Sequence, residues 1–176
     1  MTLRKVNAGI SLVVSIVLLN HAIFLAVWML SRGSIPKPEH YVSWILTGLT
    51  FIHAVFSVGF LIANHRENKN HKDRVYSRIN AATIVQRISG VFLTVLIWLH
   101  IAGTVGIMQP PQVVHAIVPP LFYIWVMVHM AISMSKVFIT LGIGDAKFVK
   151  RADMTIKGIC AVTLVADIVG FYLYLC

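Results

Sequence analysis

Four of the eight histidines in this 176-residue chain fall inside long apolar stretches, where an ionisable side chain is costly and is a functional candidate by default. They are His21, His53, His100 and His129. Imidazole is the commonest metal ligand among protein side chains. A single buried histidine is more often satisfied by a neighbouring hydroxyl, but four of them in four separate stretches favour a ligand role.

The rest of the apolar sequence limits which metal group these imidazoles can hold. Structural zinc takes four protein ligands, and the apolar stretches contain no cysteine cluster or group of carboxylates that could complete such a set of four. Non-haem iron typically takes a carboxylate, and the single acid inside an apolar stretch is Asp167. Haem obtains four ligands from its macrocycle and needs only two axial ones. Because the chain has no C-x-x-C-H sequence for covalent attachment, two bis-histidine b haems fit these residues best.

Five apolar segments are long enough to position the histidines across a bilayer, since a spanning helix needs about 20 mainly apolar residues. The predicted spans are 8–31, 41–63, 82–107, 113–143 and 154–175. A composition of 58% hydrophobic and 12% charged residues is unlike that of a soluble domain, and the five spans account for most of the chain, which leaves no room for a soluble domain. The sequence therefore predicts an all-α integral membrane protein with one domain over 1–176, whose first four helices form a dihaem four-helix bundle.

Basic residues accumulate on one side of these spans. Five Lys and Arg residues lie between the second and third spans and three between the fourth and fifth, on the same side as Arg4 and Lys5. Because such an excess marks the cytoplasmic side, we expect the N-terminus inside and the C-terminus outside a bacterial cytoplasmic membrane. The net charge of +9 is then mainly an orientation signal, and no nucleic-acid partner is expected. The basic face either contacts anionic lipid headgroups alone or also docks an acidic-surfaced soluble partner.

The positions of the four histidines along their predicted helices place them at two depths. At 1.5 Å per residue, His21 and His100 lie roughly 20–25 Å from the inner ends of their helices, and His53 and His129 only about 15–20 Å. One pair therefore shares an outer level, and the other pair shares a level nearer the cytoplasm.

Polar residues near the inner ends of the helices are candidates for the haem surroundings. The second and fourth helices both read His-x-x-x-Ser, which places Ser57 and Ser133 one turn inward of the histidines. Arg87 and Lys136 are candidates to pair with the propionates of the inner haem. Lys136 is equally compatible with reaching lipid phosphates.

Further intramembrane residues have weaker assignments. Asp167 is expected to hydrogen-bond a neighbouring helix or to face a headgroup region, and Pro119-Pro120 to mark the start or a kink of the fourth helix. Small residues allow close approach either of a haem or of another helix, and three glycines are such positions: Gly59, Gly90 and Gly103. The remaining histidines are predicted outside the spans, in loops (His40, His65, His71) or at the membrane interface (His115).

The stretch Gln86-Arg87-Ile88-Ser89-Gly90-Val91, followed by Trp98-Leu99-His100, resembles a known family. It is similar to the third span of the five-helix, two-haem cytochrome b anchors of bacterial succinate:menaquinone oxidoreductases and quinol:fumarate reductases. Residues 53–59 resemble part of that family's second span, and 138–143 resemble the end of its fourth. The resemblance covers most of the first four helices and none of the fifth.

The resemblance implies a pairing of ligands and a set of partners. His21 and His100 would hold the outer (distal) haem, and His53 and His129 the inner (proximal) haem. An iron–sulfur subunit and an FAD-containing subunit would bind the cytoplasmic face and perform succinate dehydrogenase or fumarate reductase chemistry. This chain would anchor them and pass electrons between that arm and menaquinone or another quinone through two b haems.

The chain differs from the family in the acidic residues of its membrane spans. The fumarate-reducing branch has glutamates in its spans, one of them two residues before the fourth-span ligand, where this chain has Met127. A glutamate-based proton path is therefore not expected, and His115, Gln109 and Gln112 are the outer-side candidates for proton partners of the quinone. Two alternatives stay open: a dihaem anchor for a different flavoprotein reductase, and a small transporter that uses the histidines as a relay.

Overall fold

The computed structural model describes residues 3–34, 40–70, 81–104 and 112–175. These residues form five α-helices: α1 (Leu3–Leu30), α2 (His40–Asn70), α3 (Ala81–Thr104), α4 (Gln112–Leu141) and α5 (Ala146–Leu175). No strand occurs in the described ranges. Helices satisfy every backbone polar group within one apolar segment, as a bilayer requires. The prediction of an all-α chain is confirmed.

Four of the helices are long and apolar enough to cross a membrane. Their apolar stretches measure 28 residues in α1, 20 in α3, 26 in α4 and 30 in α5. These lengths meet the requirement of about 20 residues and indicate a multi-pass membrane protein. The apolar stretch of α2, Trp44–Phe60, is shorter. The crossing of the membrane by α2, which would make a total of five spans, and the orientation of the chain therefore stay predictions.

Several helix ends differ from the predicted spans. α1 begins at Leu3 and α5 at Ala146, five and eight residues before the predicted starts at 8 and 154. The predicted spans follow the apolar residues, whereas Lys and Arg are good helix formers and continue the helices beyond the apolar stretch. For the same reason α2 extends from His40 to Asn70. The prediction that His40 and His65 lie in loops is therefore wrong for their backbones.

The helices pack as an up-and-down bundle. α1 packs against α2, α4 and α5, and α4 packs against α1, α3 and α5. The main packing partner of α2 is α1, and that of α3 is α4, among the residues that the structure describes. Helices that follow one another in the chain are antiparallel, as contacts of Asn7 with His53, Gln86 with Ser133, and Tyr123 with Phe171 indicate. α1 and α5 are parallel, because Trp28 and Tyr174, near the ends of both helices, pack on each other.

The apolar core lies between α1, α4 and α5. One cluster of buried residues contains Ala22, Val126, Met127, Met130, Met134 and Cys160, and a second contains Met29, Tyr123 and Phe171. α2 and α3 lie on the other side of α1 and α4. This arrangement leaves interior space between the first four helices, where the candidate site lies.

Candidate functional site

A cavity of about 1460 Å³ runs along the inside of the bundle between α1, α2, α3 and α4. Its lining extends from Arg4 to Met29 of α1, a length of about 37 Å at a rise of 1.5 Å per residue. Pockets for a single drug-sized ligand measure about 300–1,000 Å³, so this cavity exceeds that size. All four candidate ligands line it: His21, His53, His100 and His129.

The structure brings these histidines together in two pairs across the cavity. His21 of α1 lies within electrostatic range of His100 of α3, and His53 of α2 lies within electrostatic range of His129 of α4. These are the pairs that the family resemblance implies. In each case the two histidines come from helices that do not pack closely on each other in the described part of the chain, α1 with α3 and α2 with α4. Their use as ligands stays a prediction.

Hydrogen bonds to Ser89 determine the tautomer of His129. The Ser89 hydroxyl donates to the backbone carbonyl of Gln86 at 3.0 Å, and its oxygen lies 2.8 Å from Nδ1 of His129. Because the serine proton is already used, Nδ1 of His129 is the donor in the second bond. The lone pair of a neutral imidazole is then on Nε2, which leaves that atom available as a ligand.

The same arrangement occurs at His53 with residues of α1. Its Nδ1 lies 2.9 Å from Oγ of Ser11 and 3.1 Å from Oδ1 of Asn7. The Ser11 hydroxyl donates to the Asn7 carbonyl at 2.9 Å, and an amide oxygen only accepts hydrogen bonds. Nδ1 of His53 therefore carries the proton, and its Nε2 is available as well.

The second pair, His21 and His100, has an aromatic neighbour. The ring of Phe122 stacks on the imidazole of His100 with 4.9 Å between centroids and 15° between planes. This contact restricts the orientation of the His100 ring through packing, whereas hydrogen bonds orient the rings of His53 and His129.

One end of the cavity, which we call the basic end, is lined by Arg4, Arg87 and Lys136. The ammonium group of Lys136 donates to Oγ1 of Thr83 at 3.1 Å and to Oε1 of Gln86 at 2.6 Å. These positive groups suit a ligand that carries carboxylates at this end.

The predicted haem surroundings lie at this basic end. Ser57, Ser133, Arg87 and Lys136 all line the cavity. Ser133 accepts a 3.0 Å hydrogen bond from the side-chain amide of Gln86, so this hydroxyl is part of a network with Lys136. The structure therefore brings together all four side chains that the sequence singled out here, and their role towards a haem stays a prediction.

The opposite end of the cavity, which we call the aromatic end, is lined by large rings. They are Trp28, Trp44, Phe122, Tyr123, Phe171 and Tyr174. Trp28 packs on Tyr174 with 4.8 Å between centroids. Because Phe171 and Tyr174 belong to α5, the helix without a candidate ligand contributes to the wall of this end.

A bis-histidine haem fits the donor set of the cavity. Each pair supplies two imidazoles, and the basic end offers cations for carboxylates. Gly90 allows close approach, because a Cβ placed there would lie 3.4 Å from Cε1 of His129. Among the described residues, no group of three or more His, Cys, Asp or Glu is placed to hold an ion. Haem needs only two axial ligands from the protein.

The expectation for Asp167 is wrong. Its side chain is 0% exposed, and neither carboxyl oxygen has a hydrogen-bond partner among the described residues. Within the described part of the structure, the residue therefore neither bonds a neighbouring helix nor is exposed as a headgroup-facing side chain would be. A start of the fourth helix at Pro119-Pro120 is also wrong, because both prolines lie inside α4, which begins at Gln112.

Sequence reasoning missed Asn7 and Ser11 as partners of His53. The available signal was a pair of polar residues four positions apart at the edge of an apolar helix, which places both on one face. Ser89 belongs to the motif of residues 86–91, but the motif alone gives no signal that its hydroxyl contacts His129. Some predictions fall outside the described part of the structure: Gln109 and His71, the surroundings of Gly103, and the side chains of His40, His65, Gln112 and His115.

Comparisons with protein-family models, with curated proteins and with solved structures find no match. The sequence motifs and the geometry of the cavity are therefore the basis for assigning a function to this chain.

Proposed function

We propose that this chain is a dihaem cytochrome b membrane anchor that passes electrons between a quinone and cytoplasmic redox partners. The observation that supports it is the placement of two imidazole pairs along one cavity. The proposed partners are an iron–sulfur subunit and an FAD-containing subunit of a succinate dehydrogenase or fumarate reductase. The proposed location is a bacterial cytoplasmic membrane.

The chain's own residues would hold and orient the groups. His21 with His100 would hold one haem, and His53 with His129 would hold the other. When bound, haem supplies one-electron transfer. Asn7, Ser11 and Ser89 accept the Nδ1 protons of His53 and His129, which leaves Nε2 as the nitrogen that would bind iron.

The basic end would serve both the cofactor and the partners. Arg87 and Lys136 are placed to pair with propionates inside the cavity. At the same end of the bundle, the first turns of α5 expose Lys147, Lys150 and Arg151 to solvent. An exposed positive surface beside the haem nearer that end is a suitable docking site for an acidic-surfaced electron-transfer protein.

The test is a reduced-minus-oxidised spectrum of the purified protein with pyridine haemochrome quantitation. We expect two b haems per chain, and the loss of one haem in each of His53→Ala and His100→Ala. His65→Ala is the matched control, because this histidine belongs to α2 but to neither pair, and it should retain both haems. Fewer than two haems in the wild type, or two haems surviving in His53→Ala and His100→Ala, contradicts the assignment.

The partners are tested separately by purification of the tagged chain from its native membrane under mild detergent. A flavoprotein and an iron–sulfur protein should co-purify with it. Their absence from a preparation that retains both haems would contradict the anchor role and leave the haem ligation intact.

A further inference from the structure

A second cavity, which we call the α4–α5 groove, lies between the end of α4 and the start of α5. Its lining runs from Ile132 of α4 through the connecting turn to Lys157 of α5. The volume is about 620 Å³, within the range of about 300–1,000 Å³ that sites for one small ligand measure. Lys136 lines both this groove and the cavity with the histidine pairs, and none of the four candidate ligands lines the groove.

The two acidic residues that line the groove already have partners. Asp153 forms an ion pair with Lys157 one turn later on α5. The carboxylate of Asp145 accepts a 2.7 Å hydrogen bond from the backbone N–H of Phe148, as a residue that caps the start of a helix does. Neither acid is therefore left to neutralise the other cations of the groove.

The other two lysines of the lining keep a positive charge that no acid offsets. Lys150 is exposed and forms no ion pair with any residue that the structure describes. The ammonium group of Lys136 donates to Thr83 and Gln86, whose side chains are uncharged. The groove therefore carries a net positive charge and favours an anionic ligand.

Beside these lysines the groove has an apolar wall. Ile132, Ile139 and Val149 contribute to it, and Ile139 is 67% exposed. From Gly142 to Ile132 the groove follows the chain for about 15 Å at a rise of 1.5 Å per residue. A free phosphate ion would use the charge of this groove and leave its apolar wall uncovered. A phospholipid combines a phosphate with a hydrocarbon chain and matches both parts.

The groove lies at the level of a bilayer where lipid phosphates are found. α5 has 30 residues and is about 45 Å long, as long as a bilayer is thick with its headgroup regions included. All Lys and Arg residues of α5 lie between Lys147 and Lys157, in its first part. This part therefore lies among the headgroups, where long basic side chains reach phosphates.

We propose that the α4–α5 groove binds one anionic phospholipid, with its phosphate at Lys150 and the first part of an acyl chain along Ile132 and Ile139. Basic pockets between transmembrane helices are known to bind anionic headgroups. The site does not depend on the proposed function, because the histidine pairs line a different cavity.

The basic residues of α5 occupy two different faces, which separates this site from the docking of a soluble partner. Lys150 and Lys157 line the groove, whereas Lys147 and Arg151 lie outside its lining. Residues four apart, such as Lys147 and Arg151, share a helix face, so these two stay accessible to a partner when a lipid occupies the groove. Lys147 is therefore a matched control for Lys150, with the same charge one turn earlier on the same helix.

The first experiment is native mass spectrometry of the purified chain in detergent, titrated with phosphatidylglycerol or with phosphatidylcholine of the same acyl chains. The wild type should retain one phosphatidylglycerol and prefer it to phosphatidylcholine. Lys150→Gln should weaken phosphatidylglycerol binding about fivefold, the contribution of one lysine beside an anionic lipid. Lys147→Gln should leave it unchanged. Equal weakening in both variants, or no preference in the wild type, overturns the site.

A competition with inorganic phosphate distinguishes a lipid from a free anion. At constant ionic strength, excess inorganic phosphate should not displace phosphatidylglycerol, because it makes no contact with the apolar wall. Displacement by phosphate that requires Lys150 would assign the groove to a free anion and overturn the lipid proposal.

The position of the lipid is tested without any substitution, by phosphatidylglycerol that carries a diazirine in its acyl chain. After illumination, peptides that contain residues 132–139 should be enriched in label. Phosphatidylcholine with the same diazirine should not enrich them, and equal labelling by the two lipids contradicts the proposal. Haem quantitation on the same sample separates the hypotheses: two haems without a lipid preference overturn this site alone, and a lipid preference without haem overturns the proposed function alone.

Discussion

At the scale of single residues, the hydrogen bonds at Nδ1 decide what the imidazoles of His53 and His129 can do. A neutral imidazole has one donor and one acceptor nitrogen, so a bond that fixes the proton on Nδ1 leaves the Nε2 lone pair for a ligand. The acceptors come from neighbouring helices: Asn7 and Ser11 for His53, and Ser89 for His129. The packing of the bundle therefore sets the tautomers before any ligand binds.

Replacement of Ser89 by alanine tests this role. Ser89→Ala removes the acceptor of the His129 Nδ1 proton, so the ring loses its fixed orientation and tautomer. Loss of such an outer partner typically lowers metal affinity about 10–100-fold. Haem titration of the apoprotein should show this weakening at the site of His53 and His129 alone.

Thr94→Ala is the control for that measurement, since Thr94 belongs to the same helix and its hydroxyl bonds the carbonyl of Gly90. It should leave both affinities within a factor of about two. Equal haem affinity in Ser89→Ala and Thr94→Ala would contradict the orienting role of Ser89.

The charge of Lys136 gives a second prediction at this scale. Its ammonium group acts electrostatically on His129, and a nearby positive charge favours the reduced, less positive state of a bound haem. Lys136→Gln should therefore lower the midpoint potential of the haem at His53 and His129 by some tens of millivolts. A tenfold change in the equilibrium constant corresponds to about 59 mV for one electron. A potentiometric titration measures this.

Lys157→Gln is the matched substitution, because Lys157 is exposed and paired with Asp153. It should shift the potential far less. An unchanged potential in Lys136→Gln would mean that this charge lies too far from the haem to act on it.

At the scale of the helices, α5 is held by a close approach to α1. A Cβ placed at Gly170 would lie 3.2 Å from Cβ of Met29 and 3.3 Å from the backbone oxygen of Ala26. The backbone oxygen cannot move independently of its helix. A side chain at Gly170 therefore separates α1 and α5, which would also disturb the wall of the aromatic end.

Gly170→Ala should lower the free energy of unfolding by about 1–3 kcal/mol, the usual cost of overpacking. The gain in helix propensity offsets at most about 1 kcal/mol of this. Gly158→Ala is the control on the same helix, because nothing within the described structure lies within 4 Å of a Cβ there. Denaturation in detergent should show Gly158→Ala as equal to or more stable than the wild type. Equal stability of the two variants would contradict the close contact.

The helices also show what sequence patterns can and cannot predict. The apolar runs predicted the existence of the helices, because burial of backbone groups in lipid leaves few other choices. They did not predict the starts of α1 and α5, since charged residues extend a helix without belonging to its apolar part. The partners of His53 and His129 lie about 40 residues away in the chain, and only the packing of the helices brings them together. The same holds for Asp167, whose burial depends on how α5 packs against α1 and α4.

At the scale of the whole molecule, the role of α2 determines the topology. α2 lines the cavity from Trp44 at the aromatic end to Ser57 and Phe60, and it bonds α1 through His53. It therefore runs beside α1 over most of the bundle although its apolar stretch, Trp44–Phe60, is short. If α2 crosses the bilayer with the other four helices, the number of spans is odd and the two termini lie on opposite sides.

Reporter fusions separate five spans from four. Alkaline phosphatase is active only outside the cytoplasm, because it folds only there. With five spans and a cytoplasmic N-terminus, the enzyme fused after Cys176 should be active, and the enzyme fused after Gly144 should be inactive. If α2 stays on one side of the membrane, both results reverse, since every segment after α2 changes side. The first turns of α5, directly after this loop, carry Lys147 and Lys150, and retention of such basic residues in the cytoplasm is what favours the first result. An active fusion after Gly144 would therefore contradict both the five-span topology and the docking of redox partners at the basic end.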